Sequence, residues 1–455
     1  MGRGEIIKLD PLTNHPDSRA LREAVQQSRF TVGKVGDICE GIHDGLHGVR
    51  RYVKVGIPLL GVGNVTEEGL DLSEVNRVTH EEHARLKRSQ VSKGDVLVTI
   101  TGRLGTAMVY TSNEEANLSA HVARIRVKPE HNPGYLAAYF NSSVGRHFIS
   151  LNEIGSTHPH INVNRLKDVT FVIPPRPIQD AIASKMDTAY RRKRELEAEA
   201  GALLESIDGY VLGALGADWG KPPDRGKPLG HEAVWFDTWR RDVKRLDPKR
   251  YRYQREGPPP KGFRRLGDLL TRRQEKIDRS KYAFEDLQLI SLHFDGTMSA
   301  RDVKPWRKDV KGTLWFAYPG DLIYSKIDAR NGAIGLVPDE LGQVAVTSEY
   351  PVYRVKEGIS AEYLRIVLRT LRFTDLLQAM SAGHSGRKRI QPGELEDVLI
   401  PVPLLDQQRK IAAEVRNRRE RAAALQEEAE RVVAEAKAEV ERMILGEAEG
   451  SGAHR

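Results

Sequence analysis

Gly94-Asp95-Val96-Leu97 returns later in the chain as Gly320-Asp321-Leu322-Ile323. The pair does not stand alone. Arg126-Val127-Lys128 returns as Arg354-Val355-Lys356, and Leu166-Lys167-Asp168-Val169 returns as Leu395-Glu396-Asp397-Val398. The order is the same in both copies and the offset stays between 226 and 229 positions. Self-similarity on this scale points to a duplicated fold. The divergence between the copies suggests two similar modules that read different halves of one thing.

Each copy has the same layout. Apolar runs such as Asp95-Val-Leu-Val-Thr-Ile100 and Ala123-Arg-Ile-Arg-Val-Lys128 alternate with turn signals and are followed by a helical stretch from Pro133 to Ser150. Short strands broken by glycine clusters, with helices at one end, indicate an α+β class. The pattern then changes. Ile182, Met186, Ala189, Lys193, Leu196, Ala200, Leu203, Ile207, Tyr210 and Ala214 follow in steps of four and three, the heptad spacing of a helix with one apolar seam. Ile411, Val415, Arg418, Ala422, Leu425, Ala429, Val432, Ala436, Glu439 and Met443 repeat the seam a constant 229 residues later.

The expected organisation is a first module over 1–177, a long helix over 178–216 and a linker over 217–262. A second module follows over 263–403, then a second long helix over 404–446 and a disordered tail over 447–455. Lys8-Leu9-Asp10-Pro11 resembles Arg245-Leu246-Asp247-Pro248, so the copy extends into the linker, which also holds Trp235, Phe236 and Trp239. Both seams have polar interruptions, and a lone helix of this kind is marginal in water. The two helices therefore need each other. An internal pseudo-two-fold repeat pairs them as an antiparallel coiled coil. A helix of roughly 37 residues spans about 55 Å, and a turn of B-DNA about 34 Å, so two readers on such a spacer could touch one duplex at two places. A plain dimerisation coil is the alternative use of the heptads.

Composition narrows the class. A chain of 455 residues suits two to four domains, and 39% hydrophobic with 29% charged residues describes a globular protein. The single cysteine, Cys39, allows no intramolecular disulfide and no thiolate cluster, which fits a reducing compartment. Met1-Gly-Arg-Gly-Glu-Ile-Ile-Lys has no signal-peptide core, and no run of eighteen apolar residues occurs, so the cytoplasm is the default expectation and no membrane partner is expected. A net charge of +8 favours a polyanionic partner, because lysines and arginines that neutralise phosphates release counterions.

A family resemblance now becomes specific. Val172-Ile-Pro-Pro-Arg-Pro-Ile-Gln-Asp-Ala-Ile182 and Ile400-Pro-Val-Pro-Leu-Leu-Asp-Gln-Gln-Arg-Lys-Ile411 resemble the proline-rich lead into the conserved helices of the specificity subunit of type I restriction-modification enzymes. Gly155-Ser-Thr-His-Pro-His-Ile161 and Gly383-His-Ser-Gly-Arg-Lys-Arg-Ile390, each ahead of Leu-x-Asp-Val, match as well. So do Lys34-Val-Gly-Asp37 with Arg265-Leu-Gly-Asp268, and the loops Thr101-Gly-Arg-Leu-Gly105 and Asp328-Ala-Arg-Asn-Gly-Ala333. The resemblance covers nearly the whole chain and lies in the fixed order of weak motifs, twice over. The first helix lead reads Pro177-Ile-Gln where the second reads Asp406-Gln-Gln, and about 30 residues precede the first module.

The resemblance implies two target recognition domains that read an asymmetric bipartite sequence in double-stranded DNA. It also implies docking of two methylase (modification) subunits on the helices and recruitment of restriction subunits. S-adenosylmethionine would sit on the partner methylase, with ATP and Mg on the partner restriction subunit, and the chain itself would carry no cofactor. Ile182, Met186, Leu196, Leu203, Ile207, Ile411, Val415, Leu425, Val432 and Met443 are the expected coiled-coil and partner-binding positions.

No chemistry of the chain's own emerges. Amino-methylase motifs, a phosphate loop and a GxGxxG turn between strand and helix are all missing, so a non-catalytic subunit is expected. His80-Glu-Glu-His83 has the wrong spacing for the helical zinc pair, and His158-Pro-His160 offers only two ligands, too few for a stable site. DNA-contact candidates follow from chemistry and loop position: Arg50, Arg51, Arg103, Ser156, Thr157, His158 and His160 in the first module. In the second they are Lys304, Trp306, Arg307, Lys308, Ser325, Lys326, Arg330, Asn331, Ser385, Arg387, Lys388 and Arg389. Arginine forks a guanine edge and asparagine an adenine edge, while lysine, serine and threonine mostly grip phosphate. For any one of these basic residues a solvated surface charge is the plain alternative. Arg191-Arg-Lys-Arg194 lies on the helix, where a solvated face or a subunit contact is expected. Two other function classes stay open: a coiled-coil protein-interaction adaptor without DNA binding, and a fragment of a single-chain restriction-modification enzyme.

Overall fold

The structure, a computed structural model, describes residues 16–45, 52–155, 159–216, 261–301, 312–381 and 389–447. Except for residues 261, 262 and 447, the expected linker and tail lie outside the described residues. The chain divides into two compact units, Met1–Ala198 with Leu425–Arg455, and Glu199–Ala424.

In the first unit a four-stranded antiparallel sheet runs in the order Cys39–Asp44, Val122–Val127, Val96–Thr99, Ala107–Val109. The second unit repeats it as Leu270–Arg273, Val352–Val355, Leu322–Tyr324, Ile334–Leu336. A two-stranded ribbon closes each module, Thr31–Lys34 with Thr170–Ile173 and Phe263–Arg265 with Leu399–Pro401. The copies differ in their second sheet. Four strands in the first module (Asn76–Val78, Ile57–Leu60, Ala116–Leu118, Gln90–Val91) are matched in the second by a pair, Leu314–Ala317 with Val344–Thr347, and the short hairpin Val65–Thr66 with Gly69–Leu70 by a longer one, Ile290–Leu292 with Met298–Ala300.

The recurring motifs hold these sheets together. Gly94 and Gly320 take φ of +93° and +80°, a region that glycine enters without a Cβ clash. Each puts an aspartate into the core: Asp95 and Asp321 are 2% and 3% exposed. Asp95 accepts the Ser92 N–H at 2.8 Å, and Asp321 accepts the Tyr318 N–H at 2.9 Å. A buried carboxylate also needs a counter-ion. Arg126 supplies it in the first module through Nε and Nη2 at 2.9 and 3.2 Å, and Arg273 in the second at 2.7 and 3.0 Å. The acid is repeated while its arginine comes from a different strand.

The Leu-x-Asp-Val motif ties each module's ends. Lys34 Nζ meets Asp168 at 2.8 Å and Arg265 meets Asp397 at 3.3 Å. A Cβ on Gly36 would lie 3.2 Å from the Lys167 carbonyl oxygen, and one on Gly267 3.3 Å from that of Glu396, so both glycines permit a close backbone approach. Tyr135 and Tyr363 donate to the Val172 and Pro401 carbonyls, each at 2.7 Å.

Two long helices follow the modules, Arg176–Leu215 and Leu405–Leu445. Each is anchored at its start by a buried glutamine. Gln179 accepts the Asn132 N–H at 2.9 Å and donates to the Pro174 carbonyl at 2.8 Å. Gln408 does the same with Ser360 and Pro403 at 2.9 and 2.8 Å. The departure at Pro177 therefore leaves the anchoring residue of the first helix in place.

Within each unit the helices run antiparallel. In the first, Lys185 pairs with Glu439 and Arg192 with Glu428; in the second, Arg418 Nη1 reaches Ser206 Oγ at 2.7 Å and Gln407 Nε2 the Ala214 carbonyl at 2.8 Å. Of the seam, Ile182, Met186, Leu196, Ile207, Ile411 and Val415 are buried, while Leu203, Leu425, Val432 and Met443 are half-buried. A second stripe lies beside it. Tyr190, Val433, Val440 and Ile444 join the core of the first module, and Val211 and Ala412 that of the second. Each helix thus has a wide apolar face, serving both a helix and a module, which is broader than a two-stranded seam.

Candidate nucleic-acid interface

In both modules the loop that leaves the Gly-Asp strand lies along the loop preceding Leu-x-Asp-Val. In the first, Thr101 and Ile154 form backbone bridges with His160, and the Ile161 N–H donates to the Ile100 carbonyl at 3.0 Å. In the second, the Ile390 N–H donates to the Lys326 carbonyl at 2.9 Å. The arrangement is the same although the loops differ in sequence.

The first loop is a tight turn. Thr99 Oγ1 donates to the Arg103 carbonyl, and the Gly105 N–H returns to the Thr99 carbonyl at 2.9 Å. Gly102 and Gly105 take φ of +67° and +82°, and a Cβ on Gly105 would lie 2.7 Å from Ile149 Cδ1. The turn leaves the Arg103 side chain exposed, with Nη2 3.5 Å from the Val62 carbonyl. His160 is exposed on the neighbouring loop. These two candidates are brought together.

The second loop gathers Lys326, Arg330, Asn331 and Arg389. Ser325 is 6% exposed and its hydroxyl accepts the Asp328 N–H at 3.1 Å, so it builds the turn that presents the others. Asn331 Nδ2 donates to Asp328 at 3.2 Å, and Gly332 closes the turn at φ +96°. Glu349 binds the two loops together, because its carbonyl accepts the Lys326 N–H at 3.0 Å and its carboxylate pairs with Arg389 Nε at 2.8 Å. Arg50, Arg51, Ser156, Thr157, His158, Lys304, Trp306, Arg307, Lys308, Ser385, Arg387 and Lys388 lie outside the described residues.

Sequence reading missed the hairpin that runs from these loops to the helices. In the first module its tip carries Glu67 and Glu68, between the strands Val65–Thr66 and Gly69–Leu70. Glu67 pairs with Arg146 and Lys437 and accepts from Tyr190 at 3.1 Å, while Glu68 pairs with Lys193 at 2.7 Å. Burial opposes ionisation of Glu67, but Lys437 and Arg146 more than offset it and hold the carboxyl below its usual range. No motif marks such a clamp, since its charges come from positions far apart in sequence.

Other reactive groups are occupied. Burial pushes the Cys39 thiol up to about 12, and its Sγ donates to the Val35 carbonyl at 2.8 Å, so it is a poor nucleophile. His83 is 8% exposed with Nδ1 2.9 Å from Asn117 Nδ2, a core histidine with a partner. Among the described residues no group of three or more His, Cys, Asp or Glu is placed to hold a metal ion, and no helix is long and apolar enough to cross a membrane.

Comparison with known proteins agrees with this architecture. Residues 28–206 match the family described as Type I restriction modification DNA specificity domain. The type I restriction enzyme EcoBI specificity subunit of Escherichia coli is 24% identical over 166 residues, and the match spans 36% of this chain and 35% of that protein. A solved structure described as the structural basis of complex assembly and conformational transition of the type I R-M system aligns with a TM-score of 0.50 at 15% identity, over 92% of this chain and 98% of the other. That likeness is one of fold. The S subunit of a type I restriction-modification system from M. genitalium aligns over 92% of this chain and 96% of its own, at 13% identity and a TM-score of 0.45. Residues 28–206 are thus similar to the type I restriction modification DNA specificity domain, and about a third of the chain resembles the specificity subunit of a type I restriction enzyme.

Proposed function

We propose that this chain is the DNA-recognition subunit of a type I restriction-modification assembly, reading an asymmetric bipartite target and docking methylase subunits on its two long helices. The observation that carries the reading is that one module is built twice, each copy offering the same pair of adjoining loops with different side chains. Arg103 and His160 belong to one pair, and Lys326, Arg330, Asn331 and Arg389 to the other. One scaffold with two chemically different surfaces suits a target whose halves differ. Exposed arginine and asparagine can read base edges, and lysine the phosphates. The chain supplies the address; adenine methylation, with its S-adenosylmethionine, belongs to the partner methylase, and ATP with Mg to a restriction subunit.

The test is single-molecule methylome sequencing of a host that expresses this chain with its neighbouring methylase gene, against the methylase alone. The expected result is a new methyl-adenine in a two-part asymmetric motif that needs this chain. Exchanging residues 263–400 for the matching module of a relative is expected to alter one half of that motif only. No new methylation, with no salt-dependent DNA binding, would leave the coiled-coil adaptor as the better reading.

A further inference from the structure

The repeat allows the groove between module and helix to be compared position by position. Gln179 and Gln408, and Tyr135 and Tyr363, perform identical tasks in the two copies, which fixes the register. In that register Ala137, Asn141 and Tyr190 of the first module correspond to Arg365, Arg369 and Arg419 of the second. The first three line an open cleft of about 760 Å³ beside Glu67 and Glu68. Their counterparts bring three guanidinium groups to the same place.

Two of these cations, Arg369 and Arg419, have no ion-pair partner among the described residues, while Arg365 pairs with Glu362. Arg369 is partly buried, its Nη2 lies 3.4 Å from the Phe294 carbonyl, and its Nε is buried with no acceptor. Arg419 is also partly buried, and among the described residues no carboxylate pairs with it or with Arg369. Nearby acids are engaged elsewhere. Asp295 accepts from the Thr297 N–H and hydroxyl at 2.9 and 2.6 Å, Asp208 accepts the Leu371 N–H at 2.7 Å, and Glu362 pairs with Arg416 while lying 3.8 Å from Arg365. Desolvation, reinforced by Arg419 and Arg365, pulls Arg369 down to about 10, and desolvation with Arg365 lowers Arg419. Half-buried cations without a partner are unfavourable. In the first module the hairpin tip inserts Glu67 beside Lys437 and Arg146; in the second it presents Phe294, 60% exposed, and Gly296, where a Cβ would lie 2.8 Å from Arg369 Nε.

We propose that Arg365, Arg369 and Arg419 form a phosphate-binding site in the groove of the second module. Several guanidinium forks around one point suit the tetrahedral oxygens of a phosphate. The site adjoins the recognition loop, since a Cβ on Gly332 would lie 2.5 Å from the Phe294 carbonyl that contacts Arg369. A backbone phosphate of bound DNA is therefore one source and a free phosphate the other. The DNA source rests on the proposed function; the anion site does not.

The experiment uses the full chain, with Arg369→Gln, Arg419→Gln and Arg419→Lys, and Arg431→Gln as an exposed control. Thermal unfolding is followed against inorganic phosphate and pyrophosphate, with chloride at matched ionic strength. The midpoint of the wild type and control is expected to rise with the logarithm of phosphate concentration, with the response lost in both glutamine variants and weakened in Arg419→Lys. Binding to duplex DNA of arbitrary sequence is then measured against salt, where loss of one phosphate contact lowers the slope of log K by roughly 0.9. A phosphate response lost in the variants, with a reduced DNA slope, assigns the site to the DNA backbone; with an unchanged slope, or no DNA binding by the wild type, it assigns the site to a free phosphate. Equal phosphate response in wild type and variants, with equal DNA slopes, overturns the proposal. So does loss of methylase assembly in the variants with both phosphate readouts unchanged, which would make the arginines a seat for acidic side chains of the partner.

Discussion

Replacing Asp321 by asparagine tests the idea that the repeated Gly-Asp pair holds the fold together rather than marking a site. Asp321 is 3% exposed, accepts both arms of Arg273 at 2.7 and 3.0 Å, and caps the Tyr318 N–H at 2.9 Å. Arg273 also lies 4.6 Å over the Tyr318 ring, so it is fixed in place and cannot swing to water. Asparagine keeps one carbonyl oxygen but removes the charge, leaving the guanidinium uncompensated. Removing one member of a buried ion pair costs about 3–5 kcal/mol, and the remaining oxygen argues for the lower end. At 1.4 kcal/mol per decade, ~3 kcal/mol accelerates opening of this unit by about a hundredfold. Native-state hydrogen exchange of the amides in Leu322–Tyr324 and Val352–Val355 reads this directly, because central strands exchange through the largest openings. Arg273→Met alone is expected to cost a similar amount, and Asp321→Leu with Arg273→Met to recover most of it, since an apolar pair can replace a buried ion pair. Exchange within about threefold of wild type in Asp321→Asn, or additive losses in the double variant, would refute the reasoning.

Other expectations follow from the anchors. Gln408→Ala leaves the Ser360 N–H and the Pro403 carbonyl without their partners in a buried site, a loss of about 2–3 kcal/mol that thermal unfolding should show as an earlier transition; an unchanged midpoint would remove the glutamine from its anchoring role. Glu67 has a folded-state pKa below its ordinary value of 4.5. Its contribution is therefore complete above the ordinary carboxylate range and is lost as pH falls through the folded value. Glu67→Gln should be less stable near neutrality by about 1–3 kcal/mol, and its difference from wild type should shrink on acidification; a constant difference across that range would contradict the clamp. Gly105→Ala places a Cβ at φ +82° and 2.7 Å from Ile149 Cδ1, a strain of about 1–2 kcal/mol. It should weaken duplex binding by displacing Arg103, and undiminished affinity would detach that turn from recognition.

What the sequence disclosed was whatever the two copies share. Gly94 and Gly320, Asp95 and Asp321, Asp168 and Asp397, and Gln179 and Gln408 recur because each solves a backbone problem that both modules face. The heptad steps likewise exposed the helices, although Tyr190, Val433 and Val440 belong to a second buried stripe that a pattern of fours and threes does not separate from the first. Ser325 suits phosphate by residue type and loop position, and the structure adds that it is 6% exposed and that its hydroxyl accepts the Asp328 N–H within the turn. Residue type alone does not reveal which way a short side chain faces.

The features that distinguish the modules were visible only by subtraction. Arg126 and Arg273 neutralise equivalent aspartates from non-equivalent strands, so a search for repeated arginines passes over the second pair. Ala137, Asn141 and Tyr190 against Arg365, Arg369 and Arg419 is a contrast already present in the aligned copies, yet similarity searching weights what agrees. A duplicated recognition protein must conserve its scaffold and vary its surface. Similarity between the copies therefore locates the frame that makes a site possible. The positions where the copies disagree, on a frame shown to be the same, are the ones to search for what each module binds.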